Sequence, residues 1–436
     1  MNFVVFDFFV VKILVLNQDW FVEDFKALGH EVVTAGTRNH LDYVVQFPVE
    51  DVNHLLSRIG NNFYPDFVLV LDESTAITVS GLEDLKVPIC FYSVDTHHHH
   101  EVHSLLMHAF DFAYVAHKDY LGLVQNDYCD TKWLPLYASR YLEPAEKKEY
   151  GAVFVGTLNP KLNQDRVNFF EELQKRVPVF VTSGDFASIF PKSEIVINQT
   201  VKGDLNFRVF EAMMSGAMLL TEESSNGLFD LFQNGVHLVT YKKNDIEDAS
   251  NKIQYYLEHK DEAQKIAHAG RQAILEFHTS KKRAETILTD FEKSKKNNSP
   301  LRDYAFVSNF VWAANLIEKK SMIDSIHFLE QAIKCVDKGY KSGVNPSDKI
   351  APYIAVACTK IDHYTKTDMG YHYLQLFAEK RFNVLFPITM LWNCLHLGKK
   401  EEASKILNEY FSDLNPEFVI NKAEEAMSDL LRGSDL

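Results

Sequence analysis

The sequence predicts an α/β protein with two doubly wound, Rossmann-like domains, followed by an all-α domain. Short apolar runs alternate with helix-like stretches from Val11 to about Glu292, and this alternation is typical of parallel sheets covered by helices. Beyond the polar run Lys293–Pro300, apolar residues recur with a period near 3.6, which indicates helices alone. The 436 residues also exceed what one core usually holds. We therefore predict domains at 1–145, 146–295 and 301–436.

Composition and charge describe an ordinary globular chain. Hydrophobic residues make up 46% and charged residues 24% of the sequence, as in typical globular domains. The 60 acidic and 45 basic residues give a net charge of -15, which disfavours binding to nucleic acid. Any anionic ligand must therefore be held by a local site.

Cysteine usage and the N-terminus bear on location. The five cysteines are scattered without CxxC spacing, so neither a disulfide framework nor a zinc site is indicated, and a reducing cytoplasm fits best. Residues Met1–Leu16 contain Asp7 and Lys12 and are too short and too charged for a transmembrane helix. We expect Val11–Leu16 to be the first strand and Met1–Val10 an extra strand or a start-site extension, with contact to a membrane surface as the lesser alternative.

The first domain is predicted from continuous apolar runs, which indicate parallel strands buried on both faces. These strands are Val11–Leu16, Phe67–Leu71, Pro88–Ser93, Phe112–Val115 and Trp133–Leu136, and the helices are Trp20–Leu28, Val52–Gly60, Ser80–Leu85 and His100–Ala109. Ligands of such sheets bind at the carboxyl ends of the strands. Asp72–Thr75 and Ser93–His97 both lie at such ends.

The later elements follow the same reasoning. In the second domain we predict strands Ala152–Thr157, Pro178–Ser183, Ile195–Asn198, Ala217–Thr221 and Val236–Tyr241, and helices Arg166–Arg176, Ile246–Leu257 and Asp261–Phe277. In the third we predict helices Asp303–Glu318, Ser321–Lys338, Asp348–Ile361, Met369–Ala378, Val384–His396 and Lys400–Phe411, and a last one after Pro416.

The stretch from Ile195 to Glu222 forms a strand, loop, helix and strand that could hold a nucleotide. Asn206 is a plausible N-cap whose side-chain oxygen can accept a hydrogen bond from an amide of the first turn. Such a helix start beside Lys202 and Arg208 suits an anion. Glu211, three residues after Arg208, lies on roughly the same face and can accept from two vicinal hydroxyls. These features predict a nucleotide-sugar ligand.

The segment Asn206–Ala217, read Asn-Phe-Arg-Val-Phe-Glu-Ala-Met-Met-Ser-Gly-Ala, resembles the donor site of GT-B glycosyltransferases. It is most similar to the spore-maturation CgeB-like proteins within the broad family 4 group. The resemblance spans about Val11–Glu292 and implies that Glu211 contacts the donor ribose. Gly203 replaces the first of the two glutamates that the superfamily usually has, and Asp204 lies beside it.

The resemblance also implies roles in catalysis. Many family 4 enzymes place a histidine of the first domain beside the donor sugar, and Asp95 or His97 matches it best. Arg208, Lys202 and the amides near Asn206 are expected to stabilise the leaving diphosphate, with Lys161 and Arg166 as weaker candidates. Gly156, Asn198 and Phe207 complete the predicted donor-binding set. The implied reaction retains the anomeric configuration and needs no metal or other cofactor, with a UDP-sugar as the expected donor.

The run Asp95–His103 contains five histidines, for which there are two alternatives to contact with the donor sugar. His99 and His103 are four residues apart, so on a helix they would share a face with metal-ligand spacing. Alternatively, the histidines belong to a polar loop that caps the next helix. No residue is predicted to be a metal ligand.

Residues 301–436 resemble tetratricopeptide-like helical hairpins at Leu397–Leu407 and Ser321–Ile333, although the repeat spacing is irregular. This domain either recruits a protein acceptor or partner, or only packs against the rest of the chain.

The sequence as a whole predicts a glycosyltransferase that acts on a nucleotide sugar. A non-catalytic nucleotide-sugar-binding scaffold and a GT-B epimerase or phosphorylase are the alternatives.

Overall fold

The computed structural model describes residues 10–432, and it contains two parallel sheets and a C-terminal helical domain. The predicted extra strand at Met1–Val10 lies almost wholly outside the described residues. Within this range, no helix combines the length and apolar character needed to cross a bilayer.

The first domain is built on a seven-stranded parallel sheet of order β3-β2-β1-β5-β7-β8-β9, with a separate pair β4-β6. The strands are β1 Lys12–Leu16, β2 Glu31–Gly36, β3 Tyr43–Val44, β4 Glu50–Asp51, β5 Phe67–Leu71, β6 Val79–Ser80, β7 Ile89–Ser93, β8 Phe112–Val115 and β9 Asp130–Trp133. The helices are α1 Val22–Ala27, α2 Val52–Ile59, α3 Thr96–Leu106 and α4 Leu121–Val124.

The second domain has a five-stranded parallel sheet of order β11-β10-β12-β13-β14. Its strands are β10 Tyr150–Val155, β11 Val179–Thr182, β12 Ser193–Asn198, β13 Met218–Glu222 and β14 Val239–Tyr241. Its helices are α5 Pro160–Gln174, α6 Phe186–Ile189, α7 Phe207–Met214, α8 Leu228–Leu231, α9 Ile246–Glu258, α10 Lys260–Phe277 and α11 Ser280–Lys293. The two sheets and the helical region confirm the predicted GT-B fold class.

The helical domain contains the seven predicted helices, each within a few residues of its expected bounds. They are α12 Val307–Glu318, α13 Met322–Lys341, α14 Ala351–Thr365, α15 Met369–Glu379, α16 Leu385–His396, α17 Lys400–Tyr410 and α18 Pro416–Arg432. The tetratricopeptide-like character of this domain stays a prediction.

Alternating residues of β1 explain how the three parts are joined. Leu14 and Leu16 face a core that the first sheet shares with the helical domain, including Val307 and Phe310 of α12. Ile13 and Val15, on the other face, belong to a core shared with the second domain. Because a strand sends successive side chains to opposite faces, one strand contributes to both cores. The outer face of the second sheet has its own apolar cluster.

Three predicted elements of the first domain differ from the structure. The strand expected at Trp133–Leu136 is β9, Asp130–Trp133, because the more polar residues 130–132 pair with β8 as an edge strand. The helix expected at Ser80–Leu85 is a single 3₁₀ turn at Leu82–Asp84. Helix α3 begins at Thr96 rather than His100, so it includes the histidine run.

The polar run Lys293–Pro300, predicted as a domain boundary, is fixed to the first domain. The side-chain amide of Asn297 donates to the carbonyls of Met107, His108 and Phe110 at 3.3, 3.1 and 2.7 Å. Its backbone N–H donates to the buried carboxylate of Asp111 at 2.7 Å. The boundary between the domains is therefore a structured contact rather than a loose connection.

Candidate functional site

Two adjacent cavities lie at the carboxyl ends of the strands. The first, which we call the α7 cavity, has a volume of about 410 Å³ and is lined by the second domain, including Gly156, Arg208 and Glu211. The second, the interdomain cavity, has a volume of about 250 Å³ and lies between Asp95 and His97 of the first domain and Phe207 of the second. Three residues line both cavities: Asp204, Asn206 and Phe207.

The topology explains this position. Strand order reverses between β1 and β5 in the first sheet and between β10 and β12 in the second, and ligands of doubly wound sheets bind at such switch points. Gln18 follows β1 and Asp72 follows β5, and both line the interdomain cavity. Gly156, directly after β10, lines the α7 cavity. The two switch points therefore face one cleft.

Arg208 is held firmly at the wall of the α7 cavity. Its Nε donates to the carbonyl of Val155 at 3.0 Å and its Nη1 donates to Oδ1 of Asn198 at 2.7 Å. The guanidinium also lies 4.6 Å from the ring centroid of Phe154. Burial, together with the nearby Arg166, lowers the pKa of Arg208 to about 10, so it stays charged at neutral pH. A fixed cation of this kind suits a phosphate group.

Gly156 is required for the approach of Arg208. A Cβ atom at this position would lie 2.5 Å from Arg208 Nη2 and 2.8 Å from the ring of Phe154. The predicted donor-site glycine therefore acts by leaving room for the guanidinium.

Glu211 lies one turn into α7 with 8% of its surface exposed. Ser139 Oγ donates to Glu211 Oε1 at 2.5 Å. Burial raises the pKa of Glu211, and the Ser139 hydrogen bond and the charge of Arg208 oppose that shift. This carboxylate accepts a hydroxyl hydrogen bond in the structure and can accept others from a ribose. Ser139, in the connection between the domains, gave no signal in the sequence.

Asn206 occupies the predicted N-cap position of α7, but the predicted capping bond was wrong. Its side chain makes no hydrogen bond to the first turn, because the N–H of Val209 bonds instead to the backbone carbonyl of Asn206 at 3.2 Å. Within residues 10–432, no donor reaches the buried Asn206 Oδ1. An unpaired buried acceptor at the junction of two cavities is costly unless a ligand donates to it.

The loop before α7 gives two charged residues, Lys202 and Asp204, different environments although they are only two positions apart. Asp204 is buried, accepts the N–H of Val201 at 2.5 Å and faces both cavities. Lys202 is exposed and lines neither of them. Gly203, with φ 77°, holds the turn between them through its carbonyl, which accepts from Ser224 and Asn226. In this conformation, Lys202 is not brought together with Arg208.

The other predicted donor-site residues have varied positions. Arg166 lines the α7 cavity and donates to the carbonyl of Gln199 at 3.0 Å. Asn198 is fully buried and does not line the cavity; its side-chain oxygen accepts a hydrogen bond from Arg208 and so helps to position the guanidinium. Lys161 lies exposed in the first turn of α5, outside both cavities.

Asp72 organises the first-domain side of the cleft. Its Oδ2 accepts the N–H groups of Val94 and Asp95 at 3.0 and 2.8 Å, and its Oδ1 accepts that of Ser74 at 2.9 Å. Burial raises the pKa of Asp72 to about 6 despite these bonds. The carboxyl group thereby fixes the turn that leads to His97. Sequence reasoning placed Asp72 at a strand end without giving it this role.

His97 is buried at the inner wall of the interdomain cavity. Its ring lies 4.0 Å from His98 and 4.6 Å from His117, measured between centroids. Burial and these neighbouring rings lower the pKa of His97 to about 2, so the imidazole is neutral. In the described part of the chain, His97 Nδ1 has no hydrogen-bond partner. A neutral ring with a free nitrogen suits a sugar hydroxyl.

The described residues give no geometric support for a metal site at His99 and His103. His103 Nδ1 bonds with Ser93 Oγ at 2.7 Å, and the ring of His99 packs 4.6 Å from Trp312. Residues 10–432 contain no group of three or more His, Cys, Asp or Glu side chains arranged to hold a metal.

Comparison with known proteins gives one family match. Residues 139–289 match the model of a family described as glycosyl transferase-like, and this segment contains the whole α7 cavity. The match covers the second domain and not the whole chain. No significant match was found among curated proteins.

Several solved structures resemble the fold at low sequence identity. Anabaena HepE in complex with UDP and glucose has a TM-score of 0.48 and 11% identity, covering 65% of this chain and 100% of that chain. The sucrose-phosphate synthase of Thermosynechococcus elongatus has a TM-score of 0.48 and 10% identity, covering 65% and 98%. A glycosyltransferase from Rickettsia africae has a TM-score of 0.45 and 10% identity, covering 65% and 98%.

Proposed function

We propose that this protein is a glycosyltransferase that moves a sugar from a nucleotide-sugar donor to an acceptor hydroxyl. The observation that carries the proposal is the buried Glu211, which lies beside a fixed Arg208 and the start of α7 in one cavity. A carboxylate that already accepts a hydroxyl hydrogen bond, next to a cation and free helix amides, fits a ribose joined to a diphosphate. The family match over residues 139–289 supports the same activity.

The donor would lie across both cavities. We place the ribose at Glu211, where its hydroxyls replace Ser139, and the diphosphate beside Arg208 and the first amides of α7. The sugar would occupy the interdomain cavity, within reach of Asp95, His97 and Asp204. Asp204 lies next to Gly203, so a carboxylate is present near the position of the glutamate that this chain lacks.

In the reaction, the acceptor oxygen forms a bond to the anomeric carbon while the bond from that carbon to the β-phosphate oxygen breaks. The diphosphate leaves with the electron pair, and the acceptor proton passes to the leaving phosphate or to solvent. Arg208 and the α7 amides stabilise the charge that develops on the phosphate. Retention of configuration, by attack from the face of the leaving group, belongs to the proposal because residues 206–217 resemble retaining enzymes.

Further parts of the proposal concern conditions and partners. We propose that transfer needs no metal or other cofactor, since Arg208 already supplies positive charge at the diphosphate position, and that the first donor to test is a UDP-sugar. A cytoplasmic location is supported by five cysteines that are all free and buried. We also propose that residues 301–436 recruit a protein acceptor or partner.

The test of this function is turnover of a donor panel. Uridine, guanosine, thymidine and cytidine diphosphate sugars are incubated with the full chain, with and without Mg²⁺, and nucleotide release is followed by chromatography. We expect slow release from one donor through hydrolysis, independent of Mg²⁺, and loss of release in Arg208→Ala. Binding of a donor without any release would instead indicate a scaffold, and an altered nucleotide sugar would indicate an epimerase.

A further inference from the structure

A third cavity, larger than the two described above, lies outside the proposed donor site. It has a volume of about 1020 Å³ and is bounded by α3 of the first domain, the loop residue Lys202 of the second, and α12, α14 and α18 of the helical domain. We call it the helical-domain cavity. All three parts of the chain contribute to it, so it exists only in the assembled protein. Pockets that enclose small ligands usually have volumes of ~300–1000 Å³. This cavity reaches the top of that range, which favours an occupant larger than a single sugar or nucleotide.

This cavity adjoins the interdomain cavity, and His97 lines both. His100, one turn later on α3, lines only the helical-domain cavity. Of the described atoms, none hydrogen-bonds to the buried Nδ1 atoms of His97 and His100. Two histidines whose Nδ1 atoms have no partner therefore line the helical-domain cavity, and one of them, His97, also borders the proposed sugar position.

The lining indicates the kind of occupant. Five helices contribute aliphatic side chains, among them Val311 and Val356, and Trp312 and Tyr353 add aromatic surface. Branched aliphatic side chains bury apolar groups rather than hydroxyls, which favours a peptide over a saccharide. The formal charges of the lining also balance, since it includes two lysines, Lys202 and Lys349, and two acids, Glu101 and Asp429. A strongly charged polymer would find no complementary field here.

We propose that the helical-domain cavity binds an extended, weakly charged segment of an acceptor polypeptide and presents one hydroxyl side chain at His97. This inference rests on the proposed glycosyltransferase function. The serine, threonine or tyrosine oxygen forms the new bond to the anomeric carbon, and the nucleoside diphosphate leaves as described above. Contact between apolar peptide side chains and the cavity wall, centred on Trp312 and Tyr353, supplies most of the affinity.

The test compares two acceptor libraries on the full chain with the donor that it hydrolyses. One contains random peptides of about nine residues with a central serine or threonine, which span ~30 Å when extended, and the other contains neutral oligosaccharides. Transfer to peptides with apolar residues beside the hydroxyl supports the proposal. Transfer to oligosaccharides alone, or to neither library, overturns it.

Two variants locate the binding surface. Tyr353→Ala removes an aromatic wall of the cavity, whereas Ile323→Ala removes a side chain of α13 that is 70% exposed and lies outside the cavity. We expect Tyr353→Ala to raise the peptide KM by about tenfold or more, as for other aromatic contacts at interfaces, and Ile323→Ala to leave it unchanged. An unchanged KM in folded Tyr353→Ala overturns the proposal.

The same measurements separate this inference from the proposed function. If the wild type binds and hydrolyses a donor but Tyr353→Ala transfers to peptides as well as wild type, only the acceptor inference fails. If the folded wild type neither binds nor hydrolyses any donor, the proposed function fails with it.

Discussion

At the scale of single residues, the arrangement around Arg208 depends on the absence of a side chain at Gly156. The guanidinium, the Phe154 ring and the Gly156 backbone occupy adjacent space, and an added Cβ would come within 2.5 Å of Arg208 Nη2. From the sequence, Gly156 was predicted near the end of a strand and in the donor-binding set, without a contact to Arg208. Its contact with an arginine 52 residues later depends on the pairing of β10 with β12, which no local pattern reveals.

Gly156→Ala tests this contact. We expect the guanidinium to move and the affinity for nucleoside diphosphate to fall by about tenfold, since charge-assisted hydrogen bonds depend on position. Gly151→Ala is the matched control, because its nearest contact would be an ordinary 3.4 Å to Leu257. Calorimetric titration with UDP measures both variants. Equal affinities in the two would show that Arg208 does not hold the phosphate.

Buried histidines make a prediction about acid stability. Burial lowers the pKa of His103 and of His278 to about 3, and that of His97 to about 2. The unfolded chain takes up these protons near pH 6.5, so below that pH it binds more protons than the folded state. Stability is therefore fully present above about pH 6.5 and is lost as the pH falls, by up to ~1.4 kcal/mol per pH unit for each histidine.

We expect the melting temperature to fall steadily between pH 7 and pH 5. Asp72, with its pKa raised to about 6, and other buried carboxyl groups with raised pKa values, among them Asp204 and Glu211, act in the opposite direction. We expect the buried histidines to outweigh them. His103→Asn should reduce the slope, whereas His40→Asn, a change at an exposed side chain, should leave it as in the wild type. A melting temperature that does not change over this range, followed by differential scanning fluorimetry, would contradict this assignment.

At the scale of elements, strands were predicted better than connections. The central strands β5 and β8 were predicted residue for residue, because buried parallel strands are continuous apolar runs. The edge strand β9 is polar and was misplaced, and the start of α3 was missed because histidine carries little helix signal. The same distinction applies to the site. The α7 segment has a local sequence pattern and was predicted, whereas the roles of Ser139 and of the turn held by Asp72 depend on tertiary contacts and were not.

The connection at residues 293–300 gives an element-scale prediction. Its polar sequence predicted a domain boundary, yet Asn297 is buried and makes three side-chain hydrogen bonds to the first domain. Asn297→Ala leaves these carbonyls without a donor, so we expect a loss of about 1–3 kcal/mol in unfolding free energy. Asn298→Ala, at the exposed neighbouring position, should change it little. Urea denaturation distinguishes the two, and equal stabilities would show that the segment is not anchored.

At the scale of the whole molecule, the helical domain is part of the first domain's core. The side-chain amide of Asn309 makes two hydrogen bonds with the backbone of Ile77, at 2.8 and 2.9 Å, and Lys338 pairs with Glu83 at 2.6 Å. Sequence periodicity found the seven helices but could not show which surface covers the first sheet. The domain is consequently structural, whatever binding role it also has.

Removal of residues 301–436 should therefore expose apolar surface of the first sheet. We expect the truncated chain to aggregate or to lose its cooperative thermal transition, because a single core is cut through. Circular dichroism of the truncated and full chains is the measurement. A shortened chain that melts cooperatively at the wild-type temperature would contradict the shared core.

The central claim is that the α7 cavity holds a nucleotide sugar through Glu211. The most direct measurement is calorimetric titration of the four nucleoside diphosphates and their sugars into wild type, Glu211→Ala and Glu211→Gln, with Glu223→Gln as the control at an exposed glutamate of the same domain. Our account predicts selective binding of one base by wild type and Glu223→Gln, weakened about tenfold or more in both Glu211 variants. Equal binding by folded wild type and the Glu211 variants, or no binding by folded wild type, would contradict it.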